Sequence, residues 1–230
     1  MDSPWFPWVD KTNQRTAILE GMFANLSGVD LLTVLVSIVV GLSIHEAMHA
    51  FTAHWLGDDT AHREGRLTLN PLAHIDLATT VALPMVLILA HLPPIFAAKP
   101  VPFNPDRVKW DEFGAALVGI AGPLTNLVLA LLAAGMYRAF GADFSSGINN
   151  AIVIFASVNI AFFVFNMIPF PPLDGSRLLY AFAPEPLQNV MRQIEGMGFV
   201  AILLFFFVVF QFISGPIGNI QTGILRFLFT

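Results

Sequence analysis

From Leu31 to Leu56 the chain runs for 26 residues with a single formal charge, that of Glu46. About 20 apolar residues in a helix cross the ~30 Å hydrocarbon core of a bilayer, so this stretch is long enough to span a membrane. A carboxylate in such a run is costly and calls for a functional reason. Glu46 lies within His45-Glu46-Ala47-Met48-His49. On a helix the two histidines fall one turn apart on the same face, where their imidazoles can share one metal ion, while Glu46 points to an adjacent position. At about 1.5 Å per residue, His45 lies roughly 21 Å along the run, inside the hydrocarbon. Zinc held by two neutral imidazoles and a third protein ligand keeps one position open, and the pKa of water there falls to about 7. Glu46 would take that water's proton and pass it to a leaving amine. For this segment alone, the alternative is a buried helix with two hydrogen-bonded histidines.

The rest of the sequence agrees with a membrane setting. Of its 230 residues 56% are hydrophobic and 12% charged, with mean hydropathy +0.71, whereas soluble domains carry about 25% charged residues. The net charge of −5 provides no basic surface for nucleic acid. There is no cysteine, which excludes disulfides and thiolate ligands and leaves His, Asp or Glu to hold zinc. The N-terminus has no cationic start followed by an apolar stretch and a cleavage site, so no removable signal peptide is expected.

The expected fold class is an all-α polytopic membrane protein of about four to six transmembrane helices, with a re-entrant segment and an active site within the membrane. Residues 1–30, with Trp5, Phe6 and Trp8 among prolines and charges, read as an N-terminal interfacial segment. An intramembrane core is expected over 31–213, with spans at about 31–55, 113–137, 148–168 and from 197 onward. The last apolar run is expected to break at Ser214-Gly215-Pro216, leaving 214–230 as a C-terminal interfacial helix or tail. The stretch 57–76 is too polar to cross lipid, and 77–98 is broken by Pro84 and Pro93-Pro94. Lys99-Pro-Val-Pro-Phe-Asn-Pro105 is extended and cannot form a helix. Asn159 and Asn166 place amides on one face of the third span, and for Asn159 an interhelical hydrogen bond is the preferred reading.

Re-entry of 77–98 is the preferred reading; a full crossing would move Lys99, Arg107 and Lys109 to the other side and reverse every later helix. With re-entry, Arg63, Arg66, Lys99, Arg107, Lys109, Arg177 and Arg192 share one side, leaving Lys11, Arg15, Arg138 and Arg226 for the other. The positive-inside rule then puts the richer side in the cytoplasm and the N-terminus outside. The histidines and Asp174 would both lie toward the cytoplasmic ends of their helices.

A catalytic zinc needs a third protein ligand, and Asp174, Glu64, His54 and His74 are the candidates. His54 lies about 140° around the helix from His49 and points elsewhere. Glu64 and His74 fall in the polar loop, where a solvated side chain is expected. Asp174 follows a charge-free helix and a proline-rich turn able to hold a carboxylate rigidly, and Gly175 permits close backbone approach. An ordinary aspartate at a helix terminus is the alternative.

His45-Glu46-Ala47-Met48-His49, Gly122-Pro123-Leu124-Thr125-Asn126 and Asn166-Met-Ile-Pro-Phe-Pro-Pro-Leu-Asp174-Gly175 together resemble the ordered motif set of the site-2 proteases, the intramembrane metalloproteases. Asn70-Pro71-Leu72-Ala73-His74-Ile75-Asp76 and the 99–105 segment resemble the compact bacterial branch, without PDZ or CBS domains. Leu77-Ala78-Thr79-Thr80 departs from that branch's usual Pro-x-Gly-Thr. The resemblance implies Zn2+ held by His45, His49 and Asp174, with Glu46 as general base. Asn166 would hold substrate or stabilise the intermediate, and Asn126 would lie nearby. It also implies hydrolysis of membrane-tethered proteins in or near a transmembrane helix, an upstream site-1-type protease as partner, and residence in a bacterial inner membrane with the active site toward the cytoplasm. Two rival readings are a zinc transporter or sensor, which would not need Glu46, and an inactive helix-binding scaffold.

Overall fold

A computed structural model describes residues 27–74 and 101–230. The expected interfacial segment, apart from its last few residues, and the 77–98 stretch, where re-entry is expected, lie outside the described residues. Helix α1 spans Gly28–Trp55, α2 Thr60–Arg63, α3 Asp111–Phe140, α4 Ser146–Asn166, α5 Gly175–Phe182 and α6 Glu185–Gly196. The C-terminal run comprises α7 Phe199–Leu204, a π-helical turn Phe205–Val209 and α8 Phe210–Phe229. No strand occurs among the described residues.

Four of these helical stretches, Gly28–Trp55, Asp111–Phe140, Ser146–Asn166 and Val200–Phe229, are long and apolar enough to cross a membrane. The break expected at Ser214-Gly215-Pro216 is absent, and Pro216 lies inside α8. Proline is tolerated in membrane helices because neighbouring groups and local adjustments satisfy the freed backbone. Between the third and last spans lie α5 and α6, which an ion pair between Arg177 and Glu195 joins at 3.3 Å.

Helix α1 starts at a reciprocal cap. Ser27 Oγ accepts the Asp30 N–H, and the Asp30 carboxylate accepts the Ser27 N–H, each at 3.1 Å. This satisfies two donors that a helix start leaves open. The hydroxyls of Ser37 and Ser43, both buried, donate to the carbonyls of Thr33 and Val39 four residues back, so neither is left unpaired in the apolar surroundings.

Helix α3 is the central strut and packs against α1, α4, α5 and α8. Its buried face is mostly small, with Gly114, Ala115, Ala116, Gly119, Gly122, Ala130, Ala133 and Ala134, whereas Leu117, Leu124, Val128, Leu131 and Leu132 point outward. In lipid, expulsion of apolar surface from water does not drive helices together; small residues do so by allowing close backbone approach. One buried cluster ties Ala130, Ala133 and Ala134 of α3 to Ile152, Ala156 and Ile160 of α4 and to Leu225 and Leu228 of α8. A second joins Ala53 of α1, Val108 and Val118, with Leu56 and Phe103 packed on it.

Two backbone contacts bear on the topology. The Lys109 N–H donates to the Leu56 carbonyl at 2.9 Å, and the Asn104 N–H donates to the Asp58 carboxylate at 2.6 Å. Helix α3 therefore begins beside the end of α1, on the same face of the bundle.

Candidate metal centre

His45 and His49 lie in the C-terminal half of α1, ten and six residues before its end at Trp55, which is about 15 Å and 9 Å of helix rise. Asp174 reaches them from the turn between α4 and α5. It occupies the N-cap position of α5 yet makes no side-chain capping bond, so its carboxylate is directed elsewhere. A Cβ on Gly175 would stand 2.5 Å from the Met167 carbonyl, so only glycine lets the start of α5 fold back against the end of α4 and carry Asp174 inward.

His45 Nε2, His49 Nε2 and Asp174 Oδ2 converge. The two imidazole nitrogens are 3.0 Å apart, and Asp174 Oδ2 lies 3.0 Å from His45 Nε2 and 3.4 Å from His49 Nε2. Both imidazoles are buried. His49 Nδ1 faces the Val118 carbonyl at 2.7 Å, and a carbonyl can only accept, so the proton sits on Nδ1. His45 Nδ1 faces Asn126 Oδ1 at 2.6 Å and likewise carries the proton. Both Nε2 atoms therefore present lone pairs to each other and to a carboxylate oxygen. Three acceptors at this spacing repel unless a cation stands between them. A tetrahedral ion with donors at about 2.0–2.1 Å has donor–donor edges of about 3.3–3.4 Å, close to the spacing seen, and two nitrogens with one oxygen form a donor set that suits zinc. These three residues form the group positioned to bind a metal ion among the described residues.

Helix α3 closes the site from a third direction. A Cβ built on Gly122 would lie 2.5 Å from His49 Nε2 and 2.6 Å from His45 Nε2, within the space an ion and its ligands need. The glycine keeps that space open. Glu46, partly exposed on the same turn of α1, accepts the Val101 N–H at 3.2 Å.

The other sequence candidates are placed as follows. His54 pairs with Asp59 at 2.8 Å and points away, as its helical angle requires. Glu64 is exposed. His74 is not solvated as expected: it is buried, and its Nε2–H donates to the Thr68 carbonyl at 2.8 Å, because the 66–74 turn folds on itself with Arg66 also buried and bonded to the Ala73 carbonyl. Asn159 makes the expected interhelical bond, accepting the Asn126 Nδ2–H at 2.9 Å. Asn166 donates to the Phe162 carbonyl at 3.1 Å and makes no hydrogen bond with His45, His49 or Asp174. Sequence reading placed Asn126 only near the site, without its bond to His45, and missed the roles of Gly122 and the Val118 carbonyl. The spacing of Gly122 and Asn126, four residues and so one helical turn apart, is the signal that puts both on the face of α3 turned to the histidines.

Membrane-spanning helices that bring a His-Glu-x-x-His turn and a distant aspartate together define a membrane-embedded metalloprotease. Residues 134–210 match Peptidase family M50. The chain is 36% identical over 178 residues to "Putative zinc metalloprotease YwhC" of Bacillus subtilis (strain 168), covering 74% of this chain and 78% of that protein. It is 31% identical over 166 residues to the Rip2 protein of Mycolicibacterium smegmatis, with 72% and 63% covered. The Rip2 protein of Mycobacterium tuberculosis is 29% identical over 171 residues, with 73% and 64% covered, so the chain spans somewhat less than two thirds of either Rip2 protein. No solved structure matches the chain. The chain belongs to peptidase family M50, the site-2 proteases. It is a polytopic membrane zinc metalloprotease that acts on membrane substrates.

Proposed function

We propose that His45, His49 and Asp174 hold the catalytic zinc ion, that Glu46 is the general base and acid, and that Asn166 helps hold the substrate or stabilise the developing oxyanion. The observation that carries this reading is the convergence of His45 Nε2, His49 Nε2 and Asp174 Oδ2, with Glu46 on the same helical turn. When bound, zinc supplies Lewis-acid polarisation of the scissile carbonyl and lowers the pKa of water to about 7. Glu46 takes one proton from the attacking water, whose oxygen bonds to the carbonyl carbon. As the carbon–nitrogen bond breaks, Glu46 returns that proton to the departing amine.

The substrate segment must be locally unwound, because an intact helix hides its carbonyls in its own hydrogen bonds. The bed for it is the described part of the proline-spaced segment, 101–104, which is not helical. The reading extends to substrates already trimmed by a site-1-type protease, and to a bacterial inner membrane with the active site on the cytoplasmic side. The concentration of Arg63, Arg66, Arg107, Lys109, Arg177 and Arg192 in segments that flank the site-bearing ends of α1 and α4 supports that orientation.

The test is co-expression of the wild type, Glu46→Gln and Asp174→Ala with tagged single-span proteins, following cleavage and zinc content together. Loss of cleavage in both variants is expected, with zinc retained in Glu46→Gln and reduced in Asp174→Ala. Cleavage surviving in Glu46→Gln would overturn the proposed mechanism.

A further inference from the structure

Behind the histidines, three helices share one buried polar chain that runs away from the metal centre. Asn126 of α3 and Asn159 of α4 are both fully buried. Asn126 Nδ2 donates twice, to the Gly41 carbonyl of α1 at 3.1 Å and to Asn159 Oδ1 at 2.9 Å. Asn159 Nδ2 in turn donates to the Phe155 carbonyl at 2.9 Å. The polarity of this chain is not free. The Phe155 carbonyl can only accept, so the nitrogen of Asn159 must face it, which turns Oδ1 of Asn159 to Asn126. Two acceptors then face the amide nitrogen of Asn126, one of them a backbone carbonyl. What Asn126 has left for His45 is its oxygen, at 2.6 Å from Nδ1.

We propose that Asn126, held by Gly41 and Asn159, is a positioning residue that sets the tautomer of His45. With Oδ1 turned to the ring, His45 carries its proton on Nδ1 and presents the Nε2 lone pair to the metal. Were the amide reversed, its N–H would face Nδ1, the proton would move to Nε2, and that nitrogen could not ligate. Reversal would also bring the amide oxygen against the Gly41 carbonyl and Asn159 Oδ1, three acceptors in a buried place. Asn159 makes no hydrogen bond with His45, His49 or Asp174 and acts through Asn126. This inference rests on the reading of His45 as a metal ligand, and it assigns a function to the Asn159 amide beyond helix association.

The test uses the full chain in detergent micelles, with zinc affinity measured by competition against a chromogenic chelator, and folding checked by circular dichroism and elution volume. Outer partners of metal ligands change affinity by about 10–100-fold when removed. Asn126→Leu is expected to weaken zinc binding by that much. Asn159→Leu, which leaves the Gly41 anchor, should weaken it by a smaller factor, and Asn159→Asp, which restores an oxygen facing Asn126, should recover affinity relative to Asn159→Leu. Wild-type zinc affinity in Asn126→Leu, or an Asn159→Asp no better than Asn159→Leu, overturns the inference. His45→Ala separates the two readings, since undiminished zinc binding there means the ligand assignment itself is wrong. Should the leucine variants fail to fold, the wild type decides. In zinc-loaded protein labelled with 15N-histidine, His45 Nδ1 is expected as a protonated nitrogen with a resolved one-bond proton coupling. An unprotonated Nδ1 refutes the proposal.

Discussion

The backbone N–H of Val101 donates to the carboxylate of Glu46 at 3.2 Å, across 55 residues of sequence. The donor belongs to the proline-spaced segment, and Pro100 and Pro102 on either side have no N–H of their own. This one contact orients the carboxylate relative to the two imidazoles of the same helix. A hydrogen bond to a charged group is worth about 1.5–3 kcal/mol, so losing it costs roughly tenfold or more in a rate that depends on that orientation. Val101→Pro is expected to lower cleavage by that factor while zinc content stays at the wild-type level. Val101→Ala keeps the N–H and should stay close to wild type. A cleavage assay on purified protein, with metal content measured alongside, checks both.

Gly122→Ala should abolish zinc binding. In an ordinary helix this change is favourable by about 1 kcal/mol, so the helix itself is not expected to suffer. The added methyl would stand 2.5–2.6 Å from both Nε2 atoms, a separation that neither a ring nor an ion tolerates. Zinc stoichiometry by atomic absorption, with helix content by circular dichroism, separates lost metal from lost fold.

Removing the ion should destabilise the bundle, because His45 Nε2, His49 Nε2 and Asp174 Oδ2 then face one another within 3.0–3.4 Å as three acceptors. A chelator is expected to lower the midpoint of thermal unfolding, and added zinc to restore it by mass action. Asp174→Ala, with one donor gone, should respond little to either. Equal chelator sensitivity in wild type and Asp174→Ala would contradict the ligand assignment.

Asp58, just beyond the end of α1, gives the fold a pH dependence of its own. Burial by itself would raise its pKa, but the Thr60 hydroxyl at 2.5 Å, the Asn104 N–H at 2.6 Å, the Thr60 N–H at 3.0 Å and the nearby charge of Arg107 together hold it below the ordinary value of 3.8. A carboxyl group whose pKa is lower folded than unfolded stabilises fully above its unfolded value, and that contribution disappears as the pH falls through the folded one. The unfolding midpoint of the wild type should therefore exceed that of Asp58→Asn at pH 7, with the gap closing progressively below about pH 4. A gap independent of pH down to pH 3 would show that the carboxylate charge contributes nothing.

Parts of this architecture were legible because they depend on neighbours in sequence. The spans appear as charge-free runs, since a helix in lipid satisfies its own backbone and needs only apolar side chains outward. The shared face of His45 and His49 follows from 3.6 residues per turn. Helices α5 and α6 were missed because they are short and lie in a stretch rich in proline and charge. The burial of His74 was missed because its partner is a backbone carbonyl, which no composition reveals.

Hydropathy and helical periodicity are local properties, and they already specify a membrane chain with two imidazoles and a carboxylate on one intramembrane turn. Which distant groups meet that turn depends on how the helices pack. Asp174 arrives from 129 residues beyond His45 and Asn126 from 81, brought by close approach of small residues along α1, α3 and α5. The tautomers of both histidines are likewise decided by what stands behind them, the Val118 carbonyl and the Asn126 amide oxygen. Which face of a helix meets which neighbour depends on packing between segments far apart in the chain, and a one-dimensional pattern carries no record of it.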